Sequence, residues 1–460
     1  MKTCLLSVAA VAACLGTNAA EYPVSNLAEF QEALTKVVAG TSWEDGDKIV
    51  ISNGSTIDCS SLTDTYAFRL STAYLTVRSA SGRPEDARFL GAGSGNTCCF
   101  LLNGAVRLTG VTVENFVSTG NGSAVHIENK SAWVDDCIFC GNTTGTGTLW
   151  AQFSGTAEHP YRNILFRGNT ATTKSSGCYI YCDSWQSMYA YVYDCQFVSN
   201  KCTSATSFGA TVYTSTTDYE NCLFDGNKSS GQIGHLFLNR DAHASNCMFM
   251  GNEGAPALAF YTLTDTATHC LFVSNNCTCV EGEGGRVGAL YNSLCVGNKG
   301  TYAISSCAAV INCTVLDQTG RGLGGGCYLN CVAQKCSNYD IYGTSISYFT
   351  NCVYSTVRAD IAPGTANFVG EGCATTAAAP AKPVPGITYG VEVPFEAPGA
   401  GYPHGGLPQK SSYLVDHGSD LAGFTRKDRD LAGGRRVCKN IVDIGCYEYQ
   451  SLPGLMLIFR

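Results

Sequence analysis

Asp218 and Glu220 stand two residues apart in the stretch Thr217-Asp218-Tyr219-Glu220. On a β-strand such a pair shares one face at about 7 Å, inside the roughly 5–9.5 Å at which two carboxylates cooperate on a glycosidic bond. Arg162 and Arg240 are the cations that would stabilise charge in an eliminative cleavage, with calcium as the other means. Trp133, Tyr189, Tyr191 and Tyr193 offer ring faces of the kind that stack sugars while neighbouring polar groups bond their hydroxyls. Asp218, Glu220 and Arg162 are therefore weak catalytic candidates, and the four aromatics are glycan-contact candidates. The plainer alternative is a sheet surface that carries tyrosine because tyrosine suits strands.

These residues act together only if one element presents them on one surface, and the chain contains such an element. The phrase NCLFDGN at Asn221 returns as DCIFCGN at Asp136, DCQFVSN at Asp194, NCMFMGN at Asn246 and HCLFVSN at His269. Counting the residue after the Asn or Asp as position zero, the repeat falls at Val111, Cys137, Ile164, Cys195, Cys222, Cys247, Cys270, Ser293, Cys313, Cys331 and Cys352, at intervals of 18–31 residues. A varying period with strand-like alternation and no helical stripe predicts a solenoid of β-rungs whose turns accept insertions.

Positions zero and +2 share a core face, with Phe139, Phe166, Phe197, Phe224, Phe249 and Phe272 at +2. The apolar set at −3 (Leu108, Val134, Tyr161, Val192, Tyr219 and onward) cannot share that face in a continuous strand, so the chain bends between them. Position −1 is Gly, Asp, Asn or His throughout, and most of these types accept left-handed backbone cheaply. Gly-Asn or Ser-Asn at +4 and +5 predicts a second turn. If −3 points inward, −4 and −2 point outward. That places Trp133, Tyr191, Asp218 and His243 in one outer column and Asp135, Arg162, Tyr193 and Glu220 in the next, with Tyr189 on the same side.

Of 26 cysteines, eight occupy position zero. Stacked parallel Cβ vectors suit a disulfide poorly, so this column is expected to hold buried free thiols. Cys98, Cys99, Cys178, Cys182, Cys277 and Cys279 lie off it and are the disulfide candidates.

With this repeat, residues 22–370 resemble the right-handed parallel β-helix proteins of the pectate-lyase-like group, which include surface proteins with an N-C-x-F-x-G-N repeat. The resemblance implies an all-β right-handed solenoid of roughly a dozen coils. It implies no particular activity. The Asp-Asp and Gly-His-Gly pair of polygalacturonases is not met: Asp136 of Asp135-Asp136 is a turn residue, and no Gly-His-Gly occurs.

The ends carry their own signals. Residues 1–20, MKTCLLSVAAVAACLGTNAA, read as an export signal peptide, and Val11-Ala12-Ala13-Cys14 as an alternative lipoprotein site at Cys14. Residues 26–39 predict a capping helix, with Asn26 and Glu29 as a capping box and Gly40 ending it. The β-helix with its cap is expected over 21–372. Residues 373–411 read as a linker or strap, since 375–410 hold seven of the 13 prolines. Residues 412–460 read as a C-terminal cap. Asp428–Arg435 and Asp443–Glu448 are similar to the D-x-x-G-x-x-R…D-I-G-A-Y-E ending of surface-anchored proteins of the choice-of-anchor Q family, with Arg435 one residue early and Cys446 in place of Ala. An ion-paired cap is the plainer use of those charges.

A charged fraction of 14% and a net charge of −8 exclude a basic nucleic-acid stripe. No stretch after the signal is long and apolar enough for a membrane-spanning helix. The expectation is a monomeric, secreted or cell-surface bacterial adhesin or glycan-binding scaffold without cofactor, whose partner is a polysaccharide or host glycan. The alternative is a polysaccharide lyase or glycoside hydrolase, with calcium expected only for a lyase.

Overall fold

A computed structural model describes residues 19–152, 159–181, 189–205, 210–231, 233–342, 347–358, 365, 368–395, 407–419, 428–436 and 442–449. Residues 1–18 of the expected signal peptide, with Cys14, and Cys182 lie outside these residues.

The chain coils as a parallel β-helix. Four sheets build it, of 15, 15, 11 and 6 strands, and all strand pairings within them are parallel. Sheet A holds the strands before each turn (such as Thr217–Glu220), sheet B those just after it (Leu223–Asp225), and sheet C the third side of the coil (Ala210–Ser215). The short sheet D, for example Lys228–Ser229, links B to C over part of the length. Sheet A has fifteen strands rather than a dozen. The extra coils are Glu21–Val24, Lys48–Ile51 and Leu75–Ser79 before the repeat becomes regular, and Phe368–Glu371 after it.

The corner chemistry follows the residue types. All eleven −1 residues have positive φ, from 46° at Asn292 to 63° at Gly110. The same cheap left-handed geometry recurs at Gly372, which turns a further coil into Cys373. At the second turn it is Gly226, Gly251 or Ser274 at +4 that takes positive φ. The Asn at +5 is buried instead and bonds coil to coil: the Asn200 amide nitrogen donates to Phe166 O at 2.9 Å and to Asn227 Oδ1 at 3.1 Å. Phe197, Phe224, Phe249 and Phe272 stack at 4.8 Å centroid spacing within 14° of parallel. The −3 residues are all buried in the same core.

The described cysteines are all free thiols. This corrects the disulfide expectation for Cys98, Cys99, Cys178, Cys277 and Cys279, which are buried in the coil with their sulfurs in the packed interior. Burial pushes the thiols of Cys99, Cys178 and Cys277 up in pKa, which makes them poor nucleophiles.

The first coil is covered by a helix, Leu27–Lys36, shorter than the 26–39 expected because it stops at Val37. Asn26 Oδ1 accepts from Glu29 N at 3.0 Å, as a cap should. The Glu29 carboxylate reaches one residue further back, accepting from the amide and hydroxyl of Ser25 at 2.7 and 2.8 Å. Phe30 seals the core against Phe68 and Phe89.

The C-terminal part lies along the side of the coil as well as beyond its end. Ile387–Tyr389, within the expected linker, adds a last strand to sheet B. The chain then runs back over that sheet's outer face. Leu414 and Ile444 pack on Val332, Val353 and Ala374, and Cys446 and Tyr447 on Leu271, Leu294, Val296 and Leu316. Gly445 N donates to Asn330 O at 2.8 Å and His269 Nε2 to Arg429 O at 2.9 Å. The buried arginine is Arg436, three after Gly433, and not its exposed neighbour Arg435. Arg436 is 0% exposed and donates to Asp443 O. Asp430 and Glu448 accept backbone amides from Glu448 and Asp443, both at 2.9 Å. These charged groups hold loops in place through bonds to backbone amides and a carbonyl.

Candidate functional site

Sheet A sets the register of the candidates. Arg162 lies beside Tyr193, Tyr193 beside Glu220, and Glu220 beside Ser245. In the neighbouring column Tyr191 lies beside Asp218, and Asp218 beside His243. The inward residues between them, Val192, Tyr219 and Ala244, are buried, so the named side chains stand on the outer face. Neighbouring coils are about 4.8 Å apart, so these residues form one continuous surface. Asp218, Glu220, Arg162, Tyr189, Tyr191 and Tyr193 are thus brought together as the repeat predicts.

The tyrosines make one wall. Tyr191 and Tyr193 have ring centroids 5.8 Å apart at 58°. Tyr189, 36% exposed, donates its hydroxyl to Asp241 in a short hydrogen bond, which with partial burial pushes its own pKa up to about 12. Asp241 also faces His243, with Oδ1 to Nε2 at 3.7 Å, while His243 Nδ1 is 2.8 Å from Thr266 Oγ1.

Asp218 is the perturbed acid of the face. Burial raises its pKa, Asp241 raises it further, and His243 opposes both. Its Oδ1 is buried with no hydrogen-bond partner. A carboxyl held toward its protonated form, beside a histidine and on the strand face that carries exposed Glu220, is the kind of pair that shares acid and base roles. Arg162 is exposed and makes no ion pair among the described residues.

Two candidates take other places. Trp133 is only 8% exposed: Trp43 meets it edge-on at 4.3 Å, His159 stacks on it at 3.9 Å, and Arg107 lies 5.4 Å from the ring. So large an apolar ring gains more from being covered than from standing open, and it is no free platform. Arg107 also holds Asp135 through a bidentate pair, Nη2 to Oδ2 at 2.6 Å and Nε to Oδ1 at 3.1 Å. Arg240 has φ of 59° and lines a cavity with the sheet C residues Tyr213 and Phe237.

Sequence reasoning missed Asp241, which sits in an Arg240-Asp241 turn that no repeat marks. It also missed the outer column of sheet C, where Trp150, Tyr179, Tyr213 and Phe237 stack coil upon coil. An aromatic recurring once per coil two strands before position zero was the available signal. Among the described residues, no group of three or more His, Cys, Asp or Glu is arranged to hold a metal ion. No described helix is long and apolar enough to cross a membrane.

No family model matches this chain, and no curated protein matches it. Among solved structures it is similar to the PL6 family alginate lyase AlyGC, at 13% identity and TM-score 0.46, over 89% of this chain and 60% of that one. It is similar to a PL6 alginate lyase in complex with a trisaccharide, at 11% identity and TM-score 0.44, over 86% and 92% of the two chains. The third is the catalytic domain of a GH87 α-1,3-glucanase in complex with tetrasaccharides, at 11% and 0.39, over 75% and 68%. This chain spans about 60% of the length of AlyGC.

Proposed function

We propose that this protein is a secreted or cell-surface β-helix that binds a polysaccharide along the outer face of sheet A, as an adhesin or glycan-binding scaffold. One observation carries the reading. Tyr191 and Tyr193 stand on one outer face with Asp218, Glu220 and Arg162 in a register fixed by the strand pairing, and Tyr189, just before that strand, bonds Asp241. Rings take the apolar face of a sugar, and the charged groups take its hydroxyls.

A second reading, cleavage of that polysaccharide by a lyase or hydrolase, is favoured by the raised carboxyl of Asp218. In a hydrolase Asp218 gives its proton to the glycosidic oxygen as that bond breaks. Glu220 removes a proton from the water that adds to the sugar carbon, or attacks that carbon itself. The test is to incubate the exported chain with neutral and uronate polysaccharides, with and without calcium. Retention on the polysaccharide is measured together with unsaturated products and reducing ends. Retention without products supports the scaffold. Turnover that Asp218→Asn abolishes while retention persists establishes cleavage.

A further inference from the structure

Sheet C carries a second, unassigned site. Its outer column reads Tyr179, Tyr213, Phe237, Ala259, Glu281 in strand register. The rings of Tyr213 and Phe237 stack at 5.2 Å and 25°, but the next residue down is an alanine, so the aromatic stack stops. Tyr261, two residues beyond that alanine, tilts out at 57° to Phe237 and is 53% exposed. A cavity of about 370 Å³ opens there, lined by Tyr213, Ile233, Phe237, Asn239, Arg240, Tyr261 and Glu283. That volume lies within the range of small-molecule sites, about 300–1,000 Å³.

Two polar side-chain atoms of this cavity lack partners among the described residues. Asn239 is 7% exposed, and its Oδ1 has no hydrogen-bond partner among the described residues. Glu283 Oε2 is likewise buried and unpartnered. Leaving such atoms dry and unpaired costs stability, so their presence together in a ring-sized gap points to a ligand that bonds them. Glu281 stands in the outward column, its charge acts on Glu283 just past the strand, and Arg240 is already engaged by the protein.

We infer that this cavity is a binding site for an uncharged sugar residue. The ring packs on the exposed Tyr261, and its hydroxyls donate to Asn239 Oδ1 and pair with the Glu283 carboxyl. The two neighbouring carboxyls, Glu281 and Glu283, disfavour a uronate or sulfated ring at the same place. The site is separate from the tyrosine face of sheet A and does not depend on it.

The test is calorimetric titration of the full chain with cellotriose, mannotriose and maltotriose, and with trigalacturonate as the acidic counterpart. At least one neutral trisaccharide binds, and trigalacturonate binds at least about tenfold more weakly. Tyr261→Ala, at an exposed position that folding tolerates, weakens that binding about tenfold. Glu283→Ala does the same, and Glu283→Gln, which keeps an acceptor oxygen at that place, restores it. The inference is overturned if no neutral trisaccharide binds, if trigalacturonate binds better, or if binding survives Tyr261→Ala and Glu283→Ala. Binding that is lost in Tyr189→Ala and kept in Tyr261→Ala places the sugar on sheet A and also overturns it.

Discussion

Sheets A and B are neighbours on one coil, built from the same repeat, and their outer faces have opposite chemistry. The outward residues of sheet B at its C-terminal half are apolar (Leu271, Leu294, Val296, Leu316, Val332, Val353), and the returning C-terminal segment covers them. The outward residues of sheet A between Arg162 and His243 are tyrosines, carboxylates, a histidine and an arginine, and they are half-buried to exposed. The left-handed turns cannot explain the difference, because they continue through both regions. What differs is the covering element. Outward residue types therefore report what each face meets: protein on sheet B, solvent or ligand on sheet A.

The comparison breaks most completely if the cover is removed. Deleting residues 375–460 should expose the apolar face of sheet B and the last strand edges, and the product should aggregate. A soluble, monomeric truncation on size-exclusion chromatography would show that the segment is not a cover. A smaller break is Tyr447→Ala, which empties a buried ring site between the segment and Leu294. It should cost about 3–5 kcal/mol in denaturant unfolding, or detach the segment and open it to limited proteolysis.

Within the coil, Asn227→Ala should cost about 1–3 kcal/mol, because Phe197 O and Asn200 N each lose a buried partner. By contrast Tyr191→Ala and Tyr193→Ala should change stability by about 0.5 kcal/mol or less, as at open surfaces, while reducing polysaccharide retention. Equal stability losses at Tyr447 and Tyr193 would erase the distinction between the two faces.

The smallest effect is one of pH. Burial in the covering segment raises Asp443 to about 6, against the pull of Arg436 and of the amides of Asp416 and Tyr449. An acid whose folded pKa lies above its unfolded one binds a proton more tightly when folded. Its contribution to stability is then greatest below its unfolded pKa and is lost as pH rises from about 4 through about 6. Hydrogen exchange of residues 442–449 should accordingly be slower at pH 5 than at pH 7.5, once corrected for intrinsic rates. Faster exchange at pH 5 would contradict the assignment.

Much of the coil was legible in sequence, for reasons seen at single positions. A left-handed corner tolerates few residue types, so Asn221, Asn246 and Asn312 mark their turns directly. A stack demands like residues one coil apart, so Phe197, Phe224 and Phe249 repeat. The outward columns of sheet A follow from those two facts, which is why Tyr191, Tyr193, Asp218 and Glu220 were placed together. The docking of Tyr447 onto sheet B was not legible, since a contact between residues far apart in sequence leaves no period. Asp241 was hidden in a turn outside the repeat. The cover over Trp133 comes from Trp43, in a loop about 90 residues earlier, and no local pattern reports it. Asn at +5 was readable as a turn signal, but not as a buried coil-to-coil bond, because both uses favour the same residue.

The central claim is that the tyrosine face of sheet A contacts a polysaccharide, and retention on immobilised polysaccharides tests it most directly. Residues 21–460 should be compared with the same chain carrying Tyr189→Ala, Tyr191→Ala and Tyr193→Ala together. The account predicts retention on at least one polysaccharide, and its loss in the triple variant with the thermal unfolding curve unchanged. Retention that survives the triple variant, or no retention on any polysaccharide of the panel, would contradict it.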